Sequence, residues 1–286
     1  MKHGRKLRNM AVITVAMIMI TGQASFATNE VTEEIVYQDG EVYAVNALEV
    51  ESVSYIKEID MTEQELDNLY QSYLKSLPSN INGDAISTKQ TIENFIDYAI
   101  EEGIIEDTPV QRAAVTKALV RADLRALAKI GDDLGYTTAS ACLLHSLQDN
   151  PTNVSITSSD PIAAQVKKST EIKKIISDYK AYVRSNRVSL YSTSGSVTLN
   201  STRDLHLAFN KVSYQASGTR NSKGVWTVTI TVNDTYDFEH INWKNALSGY
   251  SSAGVTLINN YAAYGQSIKA VVPYKIKITM KTTFTQ

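Results

Sequence analysis

Cysteine is almost missing from this sequence: Cys142 is the only one in 286 residues. No disulfide can form within the chain, and one thiol with four scattered histidines offers no recognisable zinc-ligand spacing. A nucleophilic thiol needs a histidine partner, and His145, three residues along the same predicted helix, is badly placed to be one. Cys142 therefore reads as a small buried hydrophobe. Long apolar runs are equally scarce. The one uninterrupted run of apolar and small residues, Met10 to Ile20, is too short to span a bilayer, which needs roughly 20 residues. There is no glycine-rich phosphate loop after a strand, no Gly-x-Ser-x-Gly elbow and no His-Glu-x-x-His, which removes three common hydrolase designs. The basic residues have no aromatics interleaved for base stacking, so nucleic acid is not an expected partner. Nor is there a repeat of about 20 to 50 residues to build a solenoid.

What is present begins with export. Lys2, Arg5, Lys6 and Arg8 precede the short apolar run, and Ser25-Phe26-Ala27 places small residues where a signal peptidase reads them. Residues 1–27 are read as a signal peptide cleaved after Ala27, leaving an extracellular chain with no transmembrane helix. No cysteine lies near the cleavage site to carry a lipid.

Charge is distributed unevenly. Thr28 to Asp107 carries 19 acidic and 3 basic residues, and Thr108 to Gln286 carries 11 acidic and 21 basic. Two readings are open: an acidic solvated face beside an ordinary basic one, or an acidic N-terminal region covering a basic surface. Such a surface attracts anionic lipid-linked molecules or cell-wall polymers.

The periodicity predicts an α+β chain, with a helical N-terminal portion followed by a curved antiparallel β-sheet carrying a helical insertion. Residues 28–60 form an acidic leader of short strands or loose order, 61–185 a helical subdomain, and 186–286 a β-rich α+β domain. Thr62 with Glu65 is a capping box, and Leu66, Leu69, Tyr70, Tyr73, Leu74 and Leu77 follow on one face before Pro78. A second helix carries Ile92, Phe95, Ile96 and Ala99 and stops near Gly103. Thr108-Pro109 with Gln111 starts a third, whose Arg112, Lys117, Arg121, Arg125 and Lys129 are expected largely outward. A fourth runs from Thr137 to Leu147, and a fifth starts at Asp160-Pro161 and continues through Val183. After Ser185 the apolar period becomes two. Strands are expected at Val188-Leu190, Leu205-Phe209, Val212-Ala216, Trp226-Val232 and Tyr274-Met280, with residues 242–268 helical.

The densest polar group, Asn233 to His240, stands where the Trp226 strand runs out. Asp234, Tyr236 and His240 share a face if the strand continues, with Asp237 opposite. Two carboxylates, a phenol and an imidazole at a strand end can hold a divalent cation or perform acid-base work on a phosphate ester. Turn structure and packing are the plainer reading of the same residues.

The strand with Trp226-Thr227, then Asp234-Thr235-Tyr236-Asp237-Phe238, a helical stretch, and a last strand opened by Pro273-Tyr274-Lys275-Ile276-Lys277-Ile278 resembles the C-terminal activity domain of colicin M. The resemblance covers about the last 80 residues, on a motif of five. It implies a magnesium-dependent hydrolase of the lipid-linked peptidoglycan precursor that releases the polyprenol. By position it implies roles in metal or substrate handling for Asp234, Tyr236 and Asp237, with Mg²⁺ at Asp234 and Asp237; His240, the only nearby histidine, completes the candidate catalytic set from the polar group itself. The family's adjacent His-Arg pair is missing here: Trp243-Lys244 fills about that place. The alternative is a non-catalytic secreted binding or structural protein on the same fold.

Overall fold

The computed structural model describes residues 34–38, 41–45, 55–77, 88–239 and 253–285. The expected signal peptide and cleavage site, Pro78, His240, Trp243-Lys244 and the first part of the expected helical insertion lie outside the described residues. In chain order the elements are β1 (Glu34–Gln38), β2 (Glu41–Val45), β3 (Tyr55–Ile56), β4 (Met61–Thr62), α1 (Glu63–Ser76), α2 (Thr88–Glu101), α3 (Pro109–Asp133) and α4 (Thr137–Ser146). Then come β5 (Asn153–Ile156), α5 (Pro161–Lys168), α6 (Thr170–Asn186), β6 (Leu190–Thr198), α7 (Arg203–Phe209), β7 (Lys211–Arg220), β8 (Val225–Tyr236), α8 (Ala253–Ser267) and β9 (Tyr274–Thr285). This is an α+β fold. No described helix is long and apolar enough to cross a membrane.

The chain divides into two units that are not consecutive in sequence. One takes Glu51–Lys129 and His240–Val271, and the other Glu30–Val50, Ile130–Glu239 and Val272–Gln286. The division falls within α3, and specific bonds join the α8 segment to the N-terminal helices. Tyr261 Oη donates to Asp123 at 2.7 Å, and Arg121 Nε donates to the Ala270 carbonyl at 3.0 Å.

In the first of these units the capping box at Thr62 forms as the sequence predicts. Glu65 N donates to Thr62 Oγ1 at 3.2 Å, and Thr62 N donates to Glu65 Oε2 at 2.9 Å. Helices α1 and α2 meet through Tyr70 and Tyr73 edge-on to Phe95. Gly103, at φ +68°, ends α2 in the left-handed conformation that glycine adopts without strain. The outward reading of the basic α3 face is corrected at Arg121. Its side chain is 1% exposed and reaches Glu63 at 3.4 Å, while Arg125 meets the other Glu63 oxygen at 2.6 Å. A buried carboxylate and a backbone carbonyl supply the acceptors that let a guanidinium leave water.

The other unit is built on a seven-stranded sheet in the order β1-β2-β5-β9-β8-β7-β6. Strands β6 to β9 pair antiparallel; the alternation predicts β7 to β9, whereas the strand expected at Val188-Leu190 is corrected to β6, which begins only at Leu190 and runs on to Thr198. β5, which the sequence reading omits, joins β9 and β2 in parallel and makes the sheet mixed. With four residues and only Val154 and Ile156 buried, it is too short to register as alternation. One face is covered by α6. Ile175 and Tyr179 pack against Ala216, Val228 and Ile230, and Tyr179 Oη donates to the Tyr191 carbonyl at 2.7 Å.

Two further expectations are corrected. The helix begun at Asp160 breaks at Ser169, whose Oγ accepts from Ile172 N and starts α6. Leu205 to Phe209 is not a strand but the helix α7. Thr202 Oγ1 caps it by accepting from Leu205 N at 3.2 Å, and Leu205, Ala208 and Phe209 turn inward at helical spacing. α7 also brings the 6% exposed Asp204 to the start of α4, where its carboxylate accepts from Thr138 N at 3.3 Å, Ala139 N at 2.9 Å and the Gln165 amide at 3.0 Å. Those are the donors a helix start leaves unpaired, and Tyr136 before them has no side-chain cap. Asp204→Ala should therefore cost about 1–3 kcal/mol in urea unfolding. A loss below about 0.5 kcal/mol, the size of an ordinary surface change, would show that this carboxylate does not hold the helix start.

Candidate functional site

β8 alternates strictly: Trp226, Val228, Ile230, Val232 and Tyr236 are buried, and the residues between them are exposed or half-buried. Asp234 occupies the inward phase of this pattern, opposite Ile276 of β9. It is the only carboxylate in the four strands β6 to β9. Half-buried there, its carboxyl is pushed up to about 7, chiefly by loss of solvent and further by the charge of Asp237; the Thr235 backbone N–H acts in the opposite direction. Asp237, one residue past the strand, is exposed. Desolvation and the neighbouring Glu239 also raise its carboxyl.

Tyr236 lies beneath the strand end. It is 6% exposed, with Tyr274 at 5.4 Å and Phe238 edge-on at 5.2 Å between ring centroids. Burial holds its phenol far above the usual range, so it stays protonated at neutral pH. Tyr274, its partner across the ladder, donates from Oη to the Cys142 carbonyl at 3.0 Å. His145 stacks edge-on against Tyr274 with centroids 4.4 Å apart. Its Nε2 lies 2.8 Å from the Thr152 carbonyl and its Nδ1 3.3 Å from the Gln148 amide. A carbonyl only accepts, so Nε2 carries the proton and Nδ1 receives the amide N–H. Cys142 is fully buried, and desolvation raises its thiol to about 12, which suits a packing residue and not a nucleophile.

Asp234 and Tyr236 thus share the inward phase of β8, Asp237 follows in the open, and His240 lies outside the described residues. Sequence reasoning did not foresee the layer beneath the motif. Cys142 and His145 lie on a helix far away in the chain, and only the β8–β9 pairing brings Tyr274 onto Tyr236. The lysines of β9 were legible as alternation, since Lys275 pairs with Thr235 and Lys277 with Asn233.

Among the described residues no group of three or more His, Cys, Asp or Glu side chains could hold a metal ion. Asp234 and Asp237 are the two carboxylates of the motif, and the charge of Asp237 acts on Asp234.

No family model matches the sequence, and the comparison with curated proteins found no match. Among solved structures the chain is similar to PaeM, a colicin M-like bacteriocin produced by Pseudomonas aeruginosa. Identity is 13% over 52% of this chain and 51% of PaeM, with a TM-score of 0.32, so the chain spans about half of PaeM's length. It is also similar to truncated syringacin M, a bacteriocin from Pseudomonas syringae pv. tomato, at 17% identity over 78% of this chain and 96% of the other, with a TM-score of 0.29. For untruncated syringacin M the identity is 16%, over 78% and 84%, with a TM-score of 0.29. At these scores the likeness carries no argument about function, which is read below from the chain's own residues.

Proposed function

We propose that this protein is an exported, envelope-directed phosphoesterase that cleaves the pyrophosphate of a lipid-linked peptidoglycan precursor at the end of β8. The observation that carries this reading is Asp234. A carboxyl on the apolar face of a sheet is costly to ionise, and here a second carboxylate three residues on raises it further, to about 7. Perturbed acids of this kind are characteristic of reactive sites.

Asp234 and Asp237 are the residues that would hold magnesium, which would supply Lewis-acid polarisation of a phosphoryl oxygen. The chain's own groups have other tasks. Without the ion, the carboxyl of Asp234 stands near neutrality and can hold a proton at its oxygens, which binding of the ion would displace. Tyr236, buried and protonated, positions the strand end through its packing on Tyr274 and Phe238. His240, at the end of the same polar group, is proposed as a further acid-base group.

One observation favours the non-catalytic alternative. The phenol of Tyr236 is buried among aromatic rings, as a packing residue would be. The test is incubation of the folded chain from Thr28 onward with lipid-linked precursor. A phosphoesterase releases polyprenol in the presence of magnesium and stops when the ion is chelated. A binding protein retains the precursor intact under both conditions.

A further inference from the structure

Strand β6 ends the seven-stranded sheet, and among the described residues no strand lies on its free side. Its nine residues, Leu190 to Thr198, are all exposed or half-buried, with no charge and no proline. They pair with β7 in nine consecutive steps without a bulge. Charged side chains, prolines, bulges and short length are the means by which proteins keep a sheet edge from pairing, and β6 has none of them. The opposite edge differs, since β1 has five residues and opens on Glu34. Hydrogen bonding fixes which groups β6 presents. Arg220 N donates to the Ser189 carbonyl at 2.8 Å, and Leu199 N donates to the Asn210 carbonyl at 2.7 Å. Residues at odd positions between them therefore turn their N–H and C=O groups to β7, and Leu190, Ser192, Ser194, Ser196 and Thr198 turn theirs to the free side.

We infer that this edge docks a second copy of the chain, in an antiparallel pair of β6 strands centred on Ser194. The strand fits itself in that register. Leu190 meets Thr198, Ser192 meets Ser196 and Ser194 meets its own counterpart, so every free N–H has a free carbonyl opposite. The side-chain phase agrees. Tyr191, which packs on Tyr179 of α6, meets Val197 on the same face, an aromatic and a β-branched residue of the kind that stabilises adjoining strands. Leu190, 68% exposed, and Tyr182, 43% exposed and stacked on Tyr191, lie beside the new contact. A neutral strand sets no like charges against each other when it meets its own copy, and a two-fold axis through Ser194 closes the assembly at two. The nearest charges along the chain, Arg187 and Arg203, are exposed and lie beyond the nine pairs, where salt screens them. Glu171, which accepts from Asn200 N at 3.2 Å, adds an acid at the Arg203 end. A strand pair of this length is a small interface, so the dimer is expected in the micromolar range and not the nanomolar one. The inference holds whether or not Asp234 and Asp237 are catalytic.

The experiment is sedimentation of the full chain over a concentration series at low and high salt. The parent should approach the mass of a dimer as concentration rises, and added salt should not dissociate it. Amide exchange at Leu190, Ser192, Ser194, Ser196 and Thr198 should slow in step. Ser194→Pro removes a free N–H at the centre, leaves the β7 ladder complete and should lose the dimer. Ser194→Lys and Ser194→Asp each oppose like charges across the axis and should weaken association by about tenfold or more at low salt. An equal mixture of those two variants should form a mixed dimer, which high salt weakens. Circular dichroism confirms that each variant is folded. A parent that stays monomeric up to about 1 mM overturns the inference, and protection of the free-side amides in that monomer assigns the edge to another segment of the same chain. A dimer that persists in both folded Ser194→Pro and Ser194→Lys overturns it equally, as does a mixture of the Lys and Asp variants that stays monomeric.

Discussion

Asp237→Ala should abolish magnesium-dependent polyprenol release, by about a thousandfold or more, while leaving stability within about 0.5 kcal/mol of the parent. Its carboxylate is exposed, so its removal leaves no cavity and no unpaired buried partner. Asp234→Asn should be equally inactive, again without loss of stability. The folded-state carboxyl of Asp234 stands near 7 against about 3.9 in an unfolded chain. Between those values the native state holds a proton that the unfolded state has released. Stability from this group is complete below about pH 4 and is lost as pH rises through 7. The neutral amide escapes that loss, so Asp234→Asn should unfold no more easily than the parent at pH 8. Inactivity with preserved or improved stability is the pattern of a site and not of a turn. If the folded parent shows no turnover, and both substitutions alter only the melting temperature, the motif is structural and the binding-protein reading stands.

The second large effect is expected far from the motif in sequence, at Asp123. It accepts from Tyr261 Oη at 2.7 Å, and its carboxyl is raised to about 7 by loss of solvent and by the charge of Asp67, against the lowering effect of the Tyr261 bond. Asp67 is itself raised, mainly by burial, while Arg125 acts in the opposite direction. Tyr70 and Tyr261, which feel Asp123's charge, are raised as well, so both phenols stay protonated. The sign is the same as for Asp234: the contribution is complete below about pH 4 and declines as the pH approaches and passes 7. Asp123→Asn keeps an oxygen that can accept from Tyr261 and cannot ionise. It should match the parent in denaturant unfolding at pH 4 and exceed it by about 2 kcal/mol at pH 8, a figure reduced for partial solvent access. Parallel curves for the two proteins across that range would show that Asp123 ionises in the folded state at no cost.

Local signals carried much of this protein. The capping box at Thr62, the start at Asp160-Pro161, the stop at Gly103, the buried Cys142 and the two-residue period of β7 to β9 depend on neighbours within a few residues, and all are as the sequence reads. The face shared by Asp234 and Tyr236 was legible for the same reason, since a strand's period alone assigns it. Long-range contacts decided the rest. β5 is a strand only because β2 and β9 flank it. α7 has the alternating letters of a strand, but Thr202 caps it and Asp204 is required at the start of α4. Arg121 is buried because Glu63 and the Ala270 carbonyl, 58 and 149 positions away along the chain, converge on it. The carboxyl of Asp234 stands near 7 for the same kind of reason: sequence places an acid on a strand, but the solvent it loses is set by how the surrounding fold closes over it.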